Sequence, residues 1–394
     1  MRILHVVSHL GTGGMERVLF TLLREQQQLG VEIQLCVLGT ENAFPERLEG
    51  LGRVDFLGYD GSLKDVRGMW RTIGKLRQKI REYQPDVVHA HLWPTARLVA
   101  SAMAGMAPQL LVHIHDTRDW LAGTGWRDRM LRQMTRRAFH IRQPRFVAVS
   151  QACRAYTQEH LPWLRGEIPV VPNAFDARDF ETADAASDSA GRAAGRPLIV
   201  GSAGRLSEEK GHEFLIRAVA LLRDRGVDVE LRIAGSGGLG SRYEQIISEL
   251  ELGDRVELVG KVADMQAFYQ GLDVYCQPST GGEGMPIVIL EAMAMNLPIV
   301  STDIAGAPEV VEDGEHGLLV PPSNPPALAA AIERLHADSA MRTRLAANAR
   351  RRALHDFTGR RMAERIVAIY QSMFSQSGAS EASVPGERNA VGCE

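Results

Sequence analysis

The chain has 394 residues, of which 45% are hydrophobic and 24% charged, with a formal net charge of −3. That length exceeds what one hydrophobic core serves, so two domains of about 200 residues each are expected. The composition excludes wholesale disorder, a collagen-like repeat and a disulfide-dense module, and no uncharged apolar run reaches the roughly 18 residues that span a bilayer.

The opening stretch MRILHVVSHLGTGG runs from a short apolar core straight into glycines. It reads as a buried first strand and not as a signal peptide. Apolar runs at 3–7, 33–38, 54–57, 87–90, 110–114 and 146–149 read as parallel strands, with helical periodicity between several of them, as at Val18, Leu19, Leu22, Leu23 and Leu29. Residues 181–197, ETADAASDSAGRAAGRP, hold almost no bulky apolar residue and read as an exposed linker. The alternation then restarts, with strands expected at 198–203, 229–234, 256–259, 274–276, 299–301 and 318–320. Helices are expected near 213–222, 243–250, 326–335, 341–354 and 361–373. From 375 to 394 periodicity is absent, and a disordered tail is expected.

The fold class that follows is α/β, with two Rossmann-like doubly wound domains facing across a cleft. The first spans 1–180 and the second 198–356, with a closing helix at 357–374. Open sheets of this kind bind ligands beyond the carboxyl ends of their strands, so the chemistry belongs in the cleft. Cys36, Cys153, Cys276 and Cys393 lie far apart with no metal-ligand spacing, which suits a reducing cytoplasm. No HExxH or clustered Cys/His pattern calls for a metal, and no GxSxG or GxxxxGK[ST] occurs.

Gly13 and Gly14 follow the first strand and open the first helix, where backbone N–H groups and the helix dipole favour an anion. A plain strand–helix turn is the alternative, with Glu16 complementing the dipole. Arg205 and Lys210 put two cations in one βα loop just before a helix, against the dipole preference. A diphosphate accounts for them better than helix stability does; solvated surface charge is the other reading. The glycine-rich loop at 234–238, including Gly237, permits close approach of a ligand.

The segment from Gly282 to Glu291 is the most informative. Glu283 and Glu291 are eight residues apart, about 12 Å of helix axis if both lay on one helix. That is too far for a glycosidase acid/base pair. It suits an extended ligand, with one carboxylate on sugar hydroxyls and the other on a ribose. Glu291 in an otherwise apolar helix needs a partner, and a structural ion pair is the competing reading. Histidines cluster near strand ends, at His5, His9, His89, His91, His113 and His115. Most read as packed residues, with His115–Asp116 singled out because it ends a strand at the cleft.

Taken in order, these residues resemble the retaining glycosyltransferases of family 4, which have the two-Rossmann GT-B fold. The resemblance runs through most of 1–373. It rests on GlyGlyMetGluArg (13–17), HisAsp (115–116), ValProAsn (171–173), GlyArgLeu…LysGly (204–211), the glycines at 235–238, the E-x7-E element GEGMPIVILEAMAMNLPIV (282–300), GlyAlaProGluVal (306–310) and AspGlyGluHisGlyLeuLeuVal (313–320). It implies that Arg205 and Lys210 grip the donor diphosphate, that Glu291 binds the nucleotide ribose, and that Glu283 binds the donor sugar. Gly284, Met285, Pro286 and Ile287 would help hold the donor, Gly14 would approach the phosphate, and His115 would contact the sugar near the reacting carbon. The final helix would cross back to the first domain. Two departures stand out: Ala174 and Asn296 occupy positions where many relatives have glycine. Asn tolerates the left-handed conformation, so the second is mild.

The activity expected from the resemblance is transfer of a sugar from a nucleotide diphosphate sugar to an acceptor hydroxyl with retained configuration. The setting would be cell-surface polysaccharide, lipopolysaccharide or glycolipid synthesis. No metal or other cofactor is expected. The rivals are a nucleotide-sugar epimerase, a NAD-dependent oxidoreductase (which lacks its GxGxxG here) and a non-catalytic sugar-nucleotide sensor. Residues 1–180 carry 24 Lys+Arg against 18 Asp+Glu, leaving −9 for the remainder. Nucleic acid is not the partner expected from this. The basic segments 64–82 and 118–145 instead suggest the anionic inner face of a membrane bearing a lipid-linked acceptor. The alternative for 64–82 is that its apolar stripe (Val66, Met69, Trp70, Ile73, Ile80) packs on the sheet.

Overall fold

The computed structural model describes residues 1–11, 13–59, 65–117, 123–164, 166–180 and 196–381, with side chains described to Ser375. Six short apolar runs of the first half form β1 (Arg2–Val7), β2 (Glu32–Val37), β3 (Val54–Phe56), β4 (Val87–His91), β5 (Gln109–Ile114) and β6 (Arg145–Ala148). All pair in parallel in the order β3-β2-β1-β4-β5-β6. The second half repeats this plan with β7 (Leu198–Ala203), β8 (Val229–Ala234), β9 (Val256–Gly260), β10 (Val274–Gln277), β11 (Ile299–Thr302) and β12 (Gly317–Val320), in the order β12-β11-β10-β7-β8-β9. Each order reverses once, between β1 and β4 and between β7 and β10. Ligand crevices of doubly wound sheets form at such points.

The helices of the first half are α1 (Gly14–Gln28), α2 (Val66–Tyr83), α3 (Trp93–Ala102), α4 (Trp126–Arg142) and α5 (Gln151–His160). Alternate strand residues sort the two sheet faces. Leu4, Val6, Val88, Ala90, Leu110 and Val112 face α2, α3 and α4, where Leu76, Ile80, Val99 and Phe139 complete one core. Ile3, Val7, Val87, Leu111 and Val147 face α1, with Leu19, Leu22 and Leu23.

The second half carries α6 (His212–Asp224), α7 (Gly240–Glu249), α8 (Met265–Gln270), α9 (Ile287–Ala294), α10 (Ala307–Val310), α11 (Pro325–Ala337), α12 (Ser339–Asp356) and α13 (Gly359–Glu381). Several starts are set locally: Asp264, Asn324 and Asp338 each accept a backbone N–H three residues on, at the first turns of α8, α11 and α12. Asn296, just past α9, takes φ +58°, the left-handed conformation for which glycine is usual. Ala174 is fully buried and is not among the residues with positive φ, so glycine is not needed there.

The last helix lies on the first sheet. Met362, Ala363, Ile366, Tyr370 and Met373 are buried with the α1 core, and Gln109 Nε2 donates to the Met373 carbonyl at 2.9 Å. The expected end of this helix at 374 is corrected: it continues to Glu381. No proline intervenes before Pro385, and a helix already nucleated propagates cheaply. The rest of the expected tail, and residues 181–195 of the expected linker, lie outside the described residues.

Candidate active site

Lys210 ends a 3-10 turn (Glu208–Lys210) after β7, and Gly211 follows with φ +66°. A Cβ on Gly211 would collide with the Pro278 carbonyl oxygen, so glycine lets this loop lie against the one after β10. Lys210 Nζ therefore reaches Glu283 Oε1 at 2.5 Å. Ser279 Oγ donates to the same oxygen at 2.8 Å and Gln277 Nε2 approaches at 3.4 Å. The Gln277 amide is oriented by the Tyr275 hydroxyl, which donates to Oε1 at 2.8 Å. Glu283 is buried, and its Oε1 is satisfied by the cation and these two donors. Arg205 sits exposed on the same loop as Lys210. The structure thus brings Lys210 and Glu283 together beyond the ends of the adjacent strands β7 and β10, with Arg205 on the Lys210 loop.

Glu291 is placed differently. Only 287–294 is helical, so Glu283 lies in the loop before α9 and the helix-axis spacing of 12 Å does not describe the pair. Glu291 is fully buried, with Oε1 2.9 Å from Arg17 Nη2 on α1 and Oε2 accepting from the Tyr269 hydroxyl at 2.9 Å. Burial pushes its carboxyl up, against the pull of Arg17 and Tyr269. Burial also opposes the Arg17 charge, but Glu291, Tyr269 and Asp179 together outweigh it and hold the guanidinium charged. The ion-pair reading of Glu291 is the geometry present here, and Arg17 is the partner that sequence inspection did not single out.

Around these groups the two halves touch through backbone. A Cβ on Gly284 would strike the His115 carbonyl, and one on Gly14 would come 2.9 Å from Ile287 Cγ2. Asn173 Nδ2 donates to the Met285 carbonyl at 2.9 Å. Glu309 accepts the N–H groups of Gln151 and Ala152 at 2.8 and 3.0 Å, capping α5 from the other half. No local pattern links residues so far apart in sequence, which is why Asn173 and Glu309 escaped the list of candidates. Gly13 and Gly14 open α1, but the Glu16 carboxylate already accepts the Gly11 N–H at 3.2 Å and shields that end of the helix. Gly237 packs on the Leu206 backbone, where a side chain has no room.

The histidines of the first sheet form one buried stack. Register pairs His5 with His89 and His91 with His113, and ring centroids lie 4.1 to 5.6 Å apart through His115. No sequence spacing announced this cluster, because strands distant in the chain assemble it. Ring nitrogens of His5, His89 and His91, and of His91, His113 and His115, lie within 4.8 Å of one another, close enough to consider a metal ion. Among the described residues no carboxylate is grouped with either set, so a dication bound there would have neutral imidazole ligands alone. Burial holds His5 down at about 4 and His115 at about 3. Burial, then the neighbouring rings, holds His89, His91 and His113 well below the ordinary 6.5.

Comparison with known proteins places the chain in a family. Residues 12–179 match the family described as Glycosyltransferase Family 4, and 185–352 match Glycosyl transferases group 1. The chain belongs to this family of GT-B glycosyltransferases and is a transferase; the epimerase and oxidoreductase readings are not favoured. It is 30% identical to phosphatidyl-myo-inositol mannosyltransferase of Mycobacterium tuberculosis over 74% of each chain. It is 28% identical to the putative glycosyltransferase EpsF of Bacillus subtilis over 77% of this chain and 79% of that one. Sucrose-phosphate synthase of Thermosynechococcus elongatus has the same fold, with TM-score 0.79 at 21% identity over 95% of this chain and 99% of that one. So does HepE of Anabaena in complex with UDP and glucose, with TM-score 0.78 at 23% identity over 94% and 100%.

The histidine stack makes stability depend on acid. Each pKa is lowered on folding, so the unfolded chain takes up protons first: stability is full above about 6.5 and is lost as pH falls towards 4. Thermal melts across that range should show a steep acid limb, and His113→Leu, which removes a ring with no hydrogen-bond partner among the described residues, should make it shallower. An acid limb unchanged by His113→Leu would contradict this.

Proposed function

We propose that this glycosyltransferase takes a nucleoside diphosphate sugar as donor and passes the sugar, with retained configuration, to an acceptor hydroxyl. The product belongs to a cell-surface polysaccharide, lipopolysaccharide or glycolipid. The observation that carries this reading is the contact of Lys210 Nζ with Glu283 at 2.5 Å beyond the strand ends of the second sheet, with Arg205 exposed on the same loop as Lys210. HepE, which has the same fold and was solved in complex with UDP and glucose, supports a nucleoside diphosphate sugar as donor. Relatives named for colanic acid biosynthesis and phosphatidyl-myo-inositol mannosylation support the class of product.

In this reading the diphosphate enters beside Arg205 and Lys210. It takes up the Lys210 charge and leaves Glu283 free to accept donor-sugar hydroxyls. The segment Gly284 to Ile287 approaches the donor with its backbone, Gly14 and Gly237 leave room beside it, and His115 faces the sugar. The nucleotide ribose reaches Glu291 by displacing the Arg17 guanidinium. As the bond from the anomeric carbon to phosphate oxygen breaks, its electron pair goes to the diphosphate. The acceptor oxygen bonds the same carbon, and its proton passes to the departing phosphate. Preorganised cations stabilise the growing negative charge, and most of the rate comes from them. Replacing Lys210 by Ala should lower kcat by ~10²–10³ with the fold intact, by analogy with the loss of one preorganised donor, and Arg205→Ala should act in the same direction. Near-normal turnover in both, or a covalent sugar adduct trapped on Glu283, would contradict the mechanism.

We also propose that the acceptor is met at an anionic membrane surface. Ile73, Leu76 and Ile80 of α2 pack inward, but Val66 and Trp70 remain exposed, as do Trp126, Met130, Met134 and Ile141 of α4. Arg67 and Arg71 of α2, and Arg127, Arg129, Arg136 and Arg137 of α4, are exposed on the same helices. Exposed apolar side chains with arginines on the same helix suit the headgroup layer. No helix among the described residues is long and apolar enough to cross a membrane. Flotation with vesicles of phosphatidylglycerol should carry the protein upward at low salt, and Trp70→Ser with Trp126→Ser should abolish this. Equal flotation of wild type and double variant would contradict the surface assigned.

A further inference from the structure

A continuous hydrogen-bonded chain links the final helix to the end of β5. Tyr370 Oη lies 2.6 Å from His89 Nδ1 and 3.1 Å from Gln26 Nε2; Gln26 Oε1 lies 2.8 Å from His5 Nε2. His5 Nδ1 lies 3.1 Å from His91 Nε2, and His91 Nδ1 lies 3.1 Å from His115 Nε2. His115 Nδ1 has no hydrogen-bond partner among the described residues.

Proton positions along this chain follow from its first link. A contact of 2.6 Å suits an O–H donor and is short for N–H donating to oxygen. The Tyr370 phenol, kept protonated by burial, therefore donates to His89 Nδ1 and can only accept from Gln26. The Gln26 amide then presents its –NH2 to Tyr370 and its oxygen to His5. A neutral imidazole has one donor and one acceptor, so each ring in turn is fixed: His5 donates from Nε2 and accepts at Nδ1, and His91 does the same. His115 must donate from Nε2, which leaves a bare lone pair on Nδ1. The other terminus is His89 Nε2, protonated and without a partner among the described residues.

We propose that Gln26 and Tyr370, acting through His5 and His91, are positioning residues that fix the tautomer of His115, so that the donor site meets the Nδ1 lone pair and never an N–H. This rests on the reading that His115 faces the donor sugar. The aligned dipoles of Gln26, His5, His91 and His115 all turn their negative ends towards Nδ1, and chains of this kind polarise one another. A lone pair so placed favours positive character growing on the sugar ring; an N–H there would oppose it. The effect belongs to the transition state, so it is read in kcat and not in donor KM.

The full chain, labelled with 15N-histidine, reports the protonated nitrogen of each ring by long-range 1H–15N NMR, and His115→Gln identifies the His115 signals. The expected result is a single His115 tautomer protonated at Nε2. Gln26→Met, which cannot accept from His5, and Tyr370→Phe, which frees the amide to turn, should each give a mixture of tautomers. Each should lower kcat about tenfold while donor KM stays nearly constant, well short of the roughly 10⁴-fold cost of a wrong tautomer on a general base. A His115 ring protonated at Nδ1 in the wild type overturns the proposal even if the variants fail to fold. So does an unaltered tautomer in both folded variants, or a stoichiometric metal held by His5, His89 and His91. If the tautomer is as expected but UDP-glucose leaves the His115 signals unmoved, the tautomer assignment stands and the donor reading fails.

Discussion

The two halves of the molecule are held in register by a buried charge pair that neither half can satisfy alone. Glu291 on α9 and Arg17 on α1 meet at 2.9 Å with the carboxylate fully buried. Removing one partner of such a pair typically costs about 3–5 kcal/mol, because the survivor is left charged and dry. The pair therefore fixes how α1 and α9 approach, and with them the loops that precede both helices. Gly284 against the His115 carbonyl and Asn173 on the Met285 carbonyl are further links between the same two surfaces.

Because the contact is mostly backbone and fixed charge, the segment 283–291 serves both halves at once. Its first residue, Glu283, is tied to Lys210 and Ser279 within the second sheet. Its last, Glu291, is tied across to the first. In the proposed mechanism a nucleotide entering between them exchanges these internal partners for its own phosphates and hydroxyls. The groups paired here are then the groups that bind the donor.

Much of this was legible in the sequence. All twelve strands were marked by short apolar runs between glycine and polar turns, because parallel strands covered on both faces need continuous apolar sequence. Lys210 and Glu283 stood out in the sequence as a cation and an acid in loops after strands, where helix stability does not call for a cation; the direct contact between them is what the fold adds. Arg17 was not, since an arginine on the first helix looks like any solvated charge until the fold buries a carboxylate opposite it. The histidine stack was read residue by residue as packing. Its continuity depends on the register of β1, β4 and β5 and on Gln26 and Tyr370, which lie 344 residues apart. The end of α13 was missed because the helix runs on beyond the apolar periodicity that marks it in the sequence.

The central claim is that a diphosphate lodges between the halves against Arg205 and Lys210. A crystal structure of the protein with UDP-glucose tests it most directly. The expected density has phosphate oxygens about 3 Å from Lys210 Nζ and the Arg205 guanidinium, with ribose hydroxyls on Glu291 and Arg17 drawn aside. A nucleotide bound elsewhere, or one bound in the cleft with Lys210 still paired to Glu283 and Arg17 to Glu291, would contradict it.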